Sequence, residues 1–129
     1  MKILDTDHAA AILRGQLDLR QHARASEPIA VTAVTAGELW HGVHKSRRLE
    51  ENAAQVGILL GAVDILPLDS RAAEIFGRLK AHLGLDGLHL GDLDIQIASI
   101  ALDQGASLLT HNQKHFERVP GLALDDWLA

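Results

Sequence analysis

Four polar positions could carry chemistry in this sequence: Asp5, Glu38, Asp94 and Asn112. On the sequence pattern, each falls at the end of an apolar strand or in the first turn of the helix after it. In a parallel sheet those places lie on one edge, the crevice where open α/β sheets bind ligands. Three carboxylates brought together repel, and burial raises their pKa values. A chain keeps such a cluster only where something offsets the charge. Oxygen donors select hard cations, Mg2+ or Mn2+. Mg2+ takes one or two carboxylates with waters and a substrate phosphate, so the cluster reads as phosphoryl-transfer machinery.

Each residue also has a local reading. Asp5 and Asp7 both precede a helix that begins near His8, and Asp is a favoured N-cap. One acid suffices for a cap, so Asp7 is expected to cap and Asp5 to do chemistry. Thr35-Ala36-Gly37-Glu38 matches the capping box, in which the acid turns back to the N-cap amide. Against that, Gly37 and Gly42 sit inside the same helix, where each costs ~1 kcal/mol relative to alanine. Gly42 shares a face with Glu38, a sign of close approach there. Asp92 and Asp94 open another helix. Residues two apart do not share a helical face, so both are not expected to serve one site equally. Asp92 is the better cap; Asp94 stands beside the buried stripe, where the helix dipole favours negative charge. Thr110-His111-Asn112 ends a strand, and Asn also favours turns.

The elements that must position these residues alternate strand and helix, the pattern of an α/β domain. Strands are expected at Lys2 to Thr6, Ile29 to Ala33, Val63 to Leu66 and Ser107 to Thr110, with a fifth at Leu122 to Leu124. Helices are expected from His8 to Leu13, Leu17 to Ala25, Thr35 to Lys45, Leu49 to Leu60 (Ala53, Val56 and Leu60 inward), Asp69 or Ser70 to Leu83, and Asp92 to Gln104. In the fifth of these, Ala73, Phe76, Leu79, Lys80 and Leu83 share a face, with Lys80 snorkelling. In the last, Leu93, Ile97, Ile100 and Ala101 form the buried stripe. Gly84 to Leu90 is a glycine-rich connection. Gln113 to Phe116 reads as a short helical turn.

At 129 residues and 47% hydrophobic, the chain suits one domain, residues 1–129, with an aliphatic core. It has no cysteine, which excludes a disulfide frame and a thiolate metal site. Its formal charge of −5 argues against general nucleic-acid coating, although a bound cation or local basic patch can supply attraction. No apolar run approaches the ~18 residues of a membrane span. A soluble, cytoplasmic protein is the expectation.

At these residues the sequence resembles the PIN-domain ribonucleases, in particular VapC-type toxins of bacterial toxin–antitoxin pairs. Leu4-Asp5-Thr6-Asp7 is similar to the family's opening L-D-T-N/D, and Thr35 to Val43 to its A-E-L-x-x-G-V segment. Asp94-Ile95-Gln96-Ile97-Ala98 is similar to D-x-x-I-A, and Thr110-His111-Asn112 followed by Phe116 to T-x-N/D-x-x-x-F. Val119-Pro120-Gly121-Leu122 and Asp126-Trp127 match the tail. The resemblance implies a three-layer α/β/α fold, with a PIN-like parallel sheet of four to five strands and helices on both faces. It implies Asp5, Glu38 and Asp94 as ligands of Mg2+ or Mn2+, with Asn112 at a fourth catalytic position where many members have Asp. Asp92, Asp7, Thr110 and His115 form a second tier; His115 stands where some relatives carry an acid.

The implied function is a metal-dependent endoribonuclease, the toxin of a type II VapBC-like pair. It would cleave RNA phosphodiester bonds by metal-activated water, leaving 5′-phosphate and 3′-hydroxyl ends. The implied partners are RNA, a cognate VapB-like antitoxin and a second copy in a homodimer, with no membrane. Arg14, Arg20, Arg24, Lys45, Arg47, Arg48 and Lys114 are candidates to guide RNA. Three rivals stand beside this reading. A haloacid-dehalogenase-like phosphatase would use Asp5 as nucleophile, but Ala9 and Gln96 break its pattern. Zinc could draw on Glu38, His41 and His44, or on His111 and His115, but no H-E-x-x-H is present. A PIN-like module that binds RNA or antitoxin without cutting is supported by Asn112.

Overall fold

Neighbours along a strand point to opposite sides of a sheet, so two consecutive fully buried residues need cover on both faces. Ile3 and Leu4 of β1 (Lys2–Leu4) are in that position. Ile3 packs with Ala30 and Leu108 against Leu79, Leu83, Ile97 and Ala101. Leu4 packs with Val31 and Leu109 against Ile12, Leu60 and Trp127 on the other side. Burial of each such aliphatic side chain contributes about 1.5–3 kcal/mol. The computed structural model that shows this describes residues 1–22, 24, 26–85 and 90–129.

The remaining elements are α1 (Thr6–Leu13), β2 (Ile29–Thr32), α2 (Ala33–His44), α3 (Leu49–Ala62), β3 (Asp64–Leu66), α4 (Ser70–Leu85), α5 (Asp92–Gln104), β4 (Ser107–Leu109), α6 (Gln113–Phe116) and β5 (Leu124–Asp125). All five strands are parallel, in the order β3-β2-β1-β4-β5. α1 and α3 cover one face while α4 and α5 cover the other, giving three layers. The chain winds one way from β1 through β2 to β3, then returns to place β4 and β5 on the far side of β1. The order therefore reverses between β1 and β4, which opens a crevice at their C-terminal ends. Register fixes what lies there: Leu4 pairs with Leu109, and Asp5 N donates to Leu109 O at 2.9 Å. Asp5 and Thr110, the next residues of each chain segment, face one another across that edge. Among the described residues, no helix is long and apolar enough to cross a membrane.

Several local expectations change. α2 starts at Ala33, not Thr35; Thr32 is its N-cap and accepts from Thr35 N at 3.1 Å. Strand β2 runs to Thr32, so the helix begins as soon as the strand ends and Thr35 is already inside it. The expected helix from Leu17 to Ala25 is only a 3-10 turn, Leu19–Gln21, capped by Asp18, whose carboxylate also holds Arg20; Ala23 and Ala25 lie outside the described residues. In α3, Val56 is buried as expected with Ala53 and Leu60 packed beside it, and Leu59 joins the inward face. In α4, Ala72 is buried and Ala73 exposed, and Asp69 accepts from Ala72 N. Lys80 is exposed and pairs with Asp92. α4 runs on to Leu85, into the expected glycine-rich connection, of which residues 86–89 lie outside the described residues. Leu93 is half exposed, and Ile95 takes its place in the core. α5 begins and ends where its glycines place it, with Gly105 in the left-handed conformation at φ +60°.

Candidate functional site

Asp5 combines two tasks that the sequence reading divided. It is the N-cap of α1: Oδ1 accepts from Thr6 N at 2.8 Å, while Oδ2 accepts from the Thr110 hydroxyl at 2.8 Å. The expectation that Asp7 caps is thus corrected. β1 stops at Leu4, so Asp5 holds the extended φ/ψ of a cap and Asp7 is already in the first helical turn. With 7% exposure, the Asp5 carboxyl is pushed up from 3.8 to about 6. Burial is the largest cause, opposed by the Thr110 and Thr6 N–H hydrogen bonds and reinforced by the charges of Asp7 and Asp94.

Asp7 lies on the same rim. Its Oδ1 meets His8 Nδ1 at 2.7 Å and its Oδ2 accepts from His111 N at 3.0 Å. Burial pushes its carboxyl up, but these hydrogen bonds outweigh burial and hold it below the ordinary value. His8 is completely buried, and its Nε2 accepts from Trp127 N at 3.0 Å. The ring proton therefore sits on Nδ1 and is donated to Asp7. The 3.5 Å contact between Nε2 and Asp126 Oδ1 then carries no hydrogen bond, since both atoms are acceptors.

Glu38 comes from α2. Its carboxylate does not fold back to a cap; Oε1 accepts from the Thr6 hydroxyl at 2.9 Å. Thr6 Oγ1 also lies 3.1 Å from Thr35 Oγ1, so the first turns of α1 and α2 are stitched together beside Asp5. Thr6 and Thr35 stand inside the sequence motifs, yet the pattern alone gives them no role at the site. Their only sequence signal is position: one follows Asp5, the other lies one helical turn before Glu38.

Asp94 is half-buried at the start of α5, and its carboxyl is raised. Burial is the chief cause; His115, whose Nδ1 lies 3.8 Å from Oδ2, opposes it, and Asp7 adds to it. Asp92 does not cap, because Gly91 is the N-cap; Asp92 pairs with Lys80 on the outer surface, away from Asp5. Asn112 is the N-cap of α6 without a side-chain capping bond, and its Nδ2 donates to His115 Nδ1 at 2.9 Å. Its backbone N–H donates to Thr110 Oγ1 at 3.0 Å. His111 turns instead to Asp126, at 2.8 Å, so the two histidines do not share a partner.

Asp5, Asp7 and Asp94 thus lie within mutual electrostatic reach, with Glu38 tied to the next residue of the chain. Asp92 stays outside. Among the described residues, no Lys or Arg forms an ion pair with Asp5, Asp7, Glu38 or Asp94, and no three His, Asp or Glu side chains form a ready ligand set for an ion. The donor chemistry nonetheless suits a hard divalent cation: oxygen donors, two of which, Asp5 and Asp94, are destabilised as anions by burial and by neighbouring acids.

The model of the PIN domain family matches residues 2–122. The chain belongs to the PIN domain family. Ribonuclease VapC2 of Rickettsia felis is 35% identical over 99 residues, spanning 77% of this chain and 74% of the relative. The tRNA(fMet)-specific endonuclease VapC of Shigella flexneri is 35% identical over 99 residues, 77% of this chain and 75% of its own. Among solved structures, VapBC2 from Rickettsia felis bound to a promoter DNA fragment superposes with a TM-score of 0.88, at 29% identity, covering 98% of both chains. DNA-bound VapBC from Salmonella typhimurium gives 0.90, at 29% identity, covering 98% of this chain and 97% of that one. The three-layer parallel fold expected for a PIN domain is the fold observed.

Proposed function

We propose that this chain is the toxin of a type II toxin–antitoxin pair, an endoribonuclease that hydrolyses RNA phosphodiester bonds with Mg2+ or Mn2+. The observation that carries this reading is the Asp5 carboxyl, buried at the β1–β4 switch point among other acids and lifted to about 6. Charge stored there without a basic partner suits a divalent cation. The names of the PIN relatives supply the reaction class: one is a ribonuclease, another an endonuclease specific for tRNA(fMet).

Asp5, Glu38 and Asp94 would hold the cation, and Asn112 would stand at the fourth position as a neutral acceptor. When bound, the cation supplies Lewis acidity, which favours deprotonation of water and offsets charge on the phosphate. The chain's own residues prepare the site. Thr110 and Thr6 N–H fix both oxygens of Asp5. Thr6 fixes Glu38. His8 and His111 N–H hold Asp7 charged on the rim, where it can accept a hydrogen bond from water at the phosphate. His115 orients Asn112.

The reading takes residues 1–129 as a single PIN domain in the cytoplasm, working as a homodimer neutralised by a cognate VapB-like antitoxin. The antitoxin is supported by solved neighbours that are VapBC assemblies. The test is cleavage of a panel of structured RNAs, tRNAs included, by purified chain in Mn2+ or in EDTA, with mapping of product ends. Cleavage only with the ion, giving 5′-phosphates and lost in Asp94→Asn, supports the reading. Equal cleavage in EDTA, or none on any RNA, refutes it. The latter result combined with tight RNA binding would favour the non-cutting module, which Asn112 in place of an acid already suggests.

A further inference from the structure

A groove of 680 Å3 starts at Glu38 and runs between α2 and α5. Its volume falls in the range of about 300–1,000 Å3 typical of small-ligand sites. One wall is a face of α2, with Gly37, His41, Gly42 and Lys45; the other is the first turns of α5, with Leu93 and Gln96. Two glycines in one helix are unfavourable relative to alanine. Neither is required by packing within the chain, since a Cβ at Gly37 or Gly42 would meet nothing within 4 Å. Their absence of side chains leaves the floor of the groove open beside the acidic rim. Leu93, half exposed although apolar, faces that space. Lys45, seven residues beyond Glu38, lies about 10 Å further along the helix axis. That offset along the groove wall suits its ammonium to a phosphate next to the one at the carboxylates.

We propose that this groove seats the nucleotide flanking the scissile phosphate of single-stranded RNA. The base lies over Gly37 and Gly42 against Leu93, His41 and Gln96 read its edge, and Lys45 takes the next phosphate. Imidazole and carboxamide carry both donor and acceptor capacity, which base edges require. Lys45 places the cation away from the acids, so the strand enters along α2 despite the chain's net negative charge. This assignment rests on the ribonuclease reading and adds to it the element that selects sequence.

The test uses the full chain and Gly42→Leu, His41→Ala and Gln96→Ala, each checked for a native circular dichroism spectrum. Binding of a fluorescein-labelled single-stranded RNA is followed by anisotropy in EDTA, where no cutting competes. A Cβ at Gly42 meets nothing within 4 Å, so Gly42→Leu is expected to fold, to fill groove space and to lower affinity by about tenfold or more. In Mn2+, His41→Ala and Gln96→Ala are expected to change the base distribution beside the cut. Affinity of Gly42→Leu within about twofold of wild type overturns the proposal, as does wild type that binds no labelled RNA. Loss of antitoxin binding in Gly42→Leu with RNA affinity unchanged also overturns it, because a peptide would then be the occupant. If wild type binds RNA and Gly42→Leu does not, but neither cuts, the groove stands and the ribonuclease reading falls.

Discussion

Asp5→Asn is expected to make the metal-free protein more stable at neutral pH while removing its function. The Asp5 carboxyl sits at about 6 in the fold against an ordinary 3.8. A carboxyl raised by folding binds more protons in the native than in the unfolded state between those values. Stability therefore is fullest below pH 3.8 and falls as pH rises through about 6. Above that window the buried charge costs about 3 kcal/mol, at about 1.4 kcal/mol per pH unit. Asn carries no charge and is as good an N-cap as Asp. Its Oδ1 can still accept from Thr6 N, and its Nδ2 can donate to the Thr110 hydroxyl. Allowing for the weaker neutral hydrogen bonds, a net gain of about 1–3 kcal/mol is expected at pH 8. For a domain of this size, that raises Tm by roughly 5–10 °C. Thermal melts in EDTA at pH 4, 6 and 8 test this, with the advantage of Asp5→Asn over wild type growing as pH rises. Equal or lower Tm for Asp5→Asn at pH 8, with a flat wild-type profile, would refute the burial cost assigned to this carboxyl.

Thr6→Val removes the hydroxyl that holds Glu38. A hydrogen bond to a charged group is worth about 1.5–3 kcal/mol, so RNA cleavage should fall by roughly tenfold or more if Glu38 must be fixed; unchanged turnover would show that Thr6 does not position it. His8→Ala leaves Asp7 and Trp127 N–H without their buried partner and opens a cavity. The expected loss is about 3 kcal/mol in urea unfolding, and a loss below about 1 kcal/mol would contradict the buried network. Thr32→Ala removes the α2 cap and should cost about 1 kcal/mol, whereas Thr35→Ala should leave that cap in place; the opposite order would return the cap to Thr35.

What the sequence disclosed follows the range of each interaction. Ile3 and Leu4 announce a strand buried on both sides, and Gly91 and Gly105 bracket α5, because those signals are local. Thr32 and Thr35 are both good cap residues, three apart, and only the length of β2 decides between them. Asp5 and Asp7 pose the same ambiguity. The strand order was not legible, although the adjacency of β1 and β4 brings Thr110 to Asp5. Nor were the bonds from Thr6 to Glu38 and from Trp127 to His8, which join residues distant in sequence. Asp92 and Asp94 separated as helical geometry requires, one toward Lys80 and the other toward Asp5.

Calorimetric titration of Mn2+ into wild type, Asp5→Asn, Glu38→Gln and Asp94→Asn is the most direct measurement of whether a divalent ion belongs among these acids. Wild type should bind the ion and gain thermal stability from it, as ligation of the folded state alone requires, and each substitution should weaken binding. Mn2+ bound equally by all four proteins, or by none, would contradict the assignment of this rim as the metal centre.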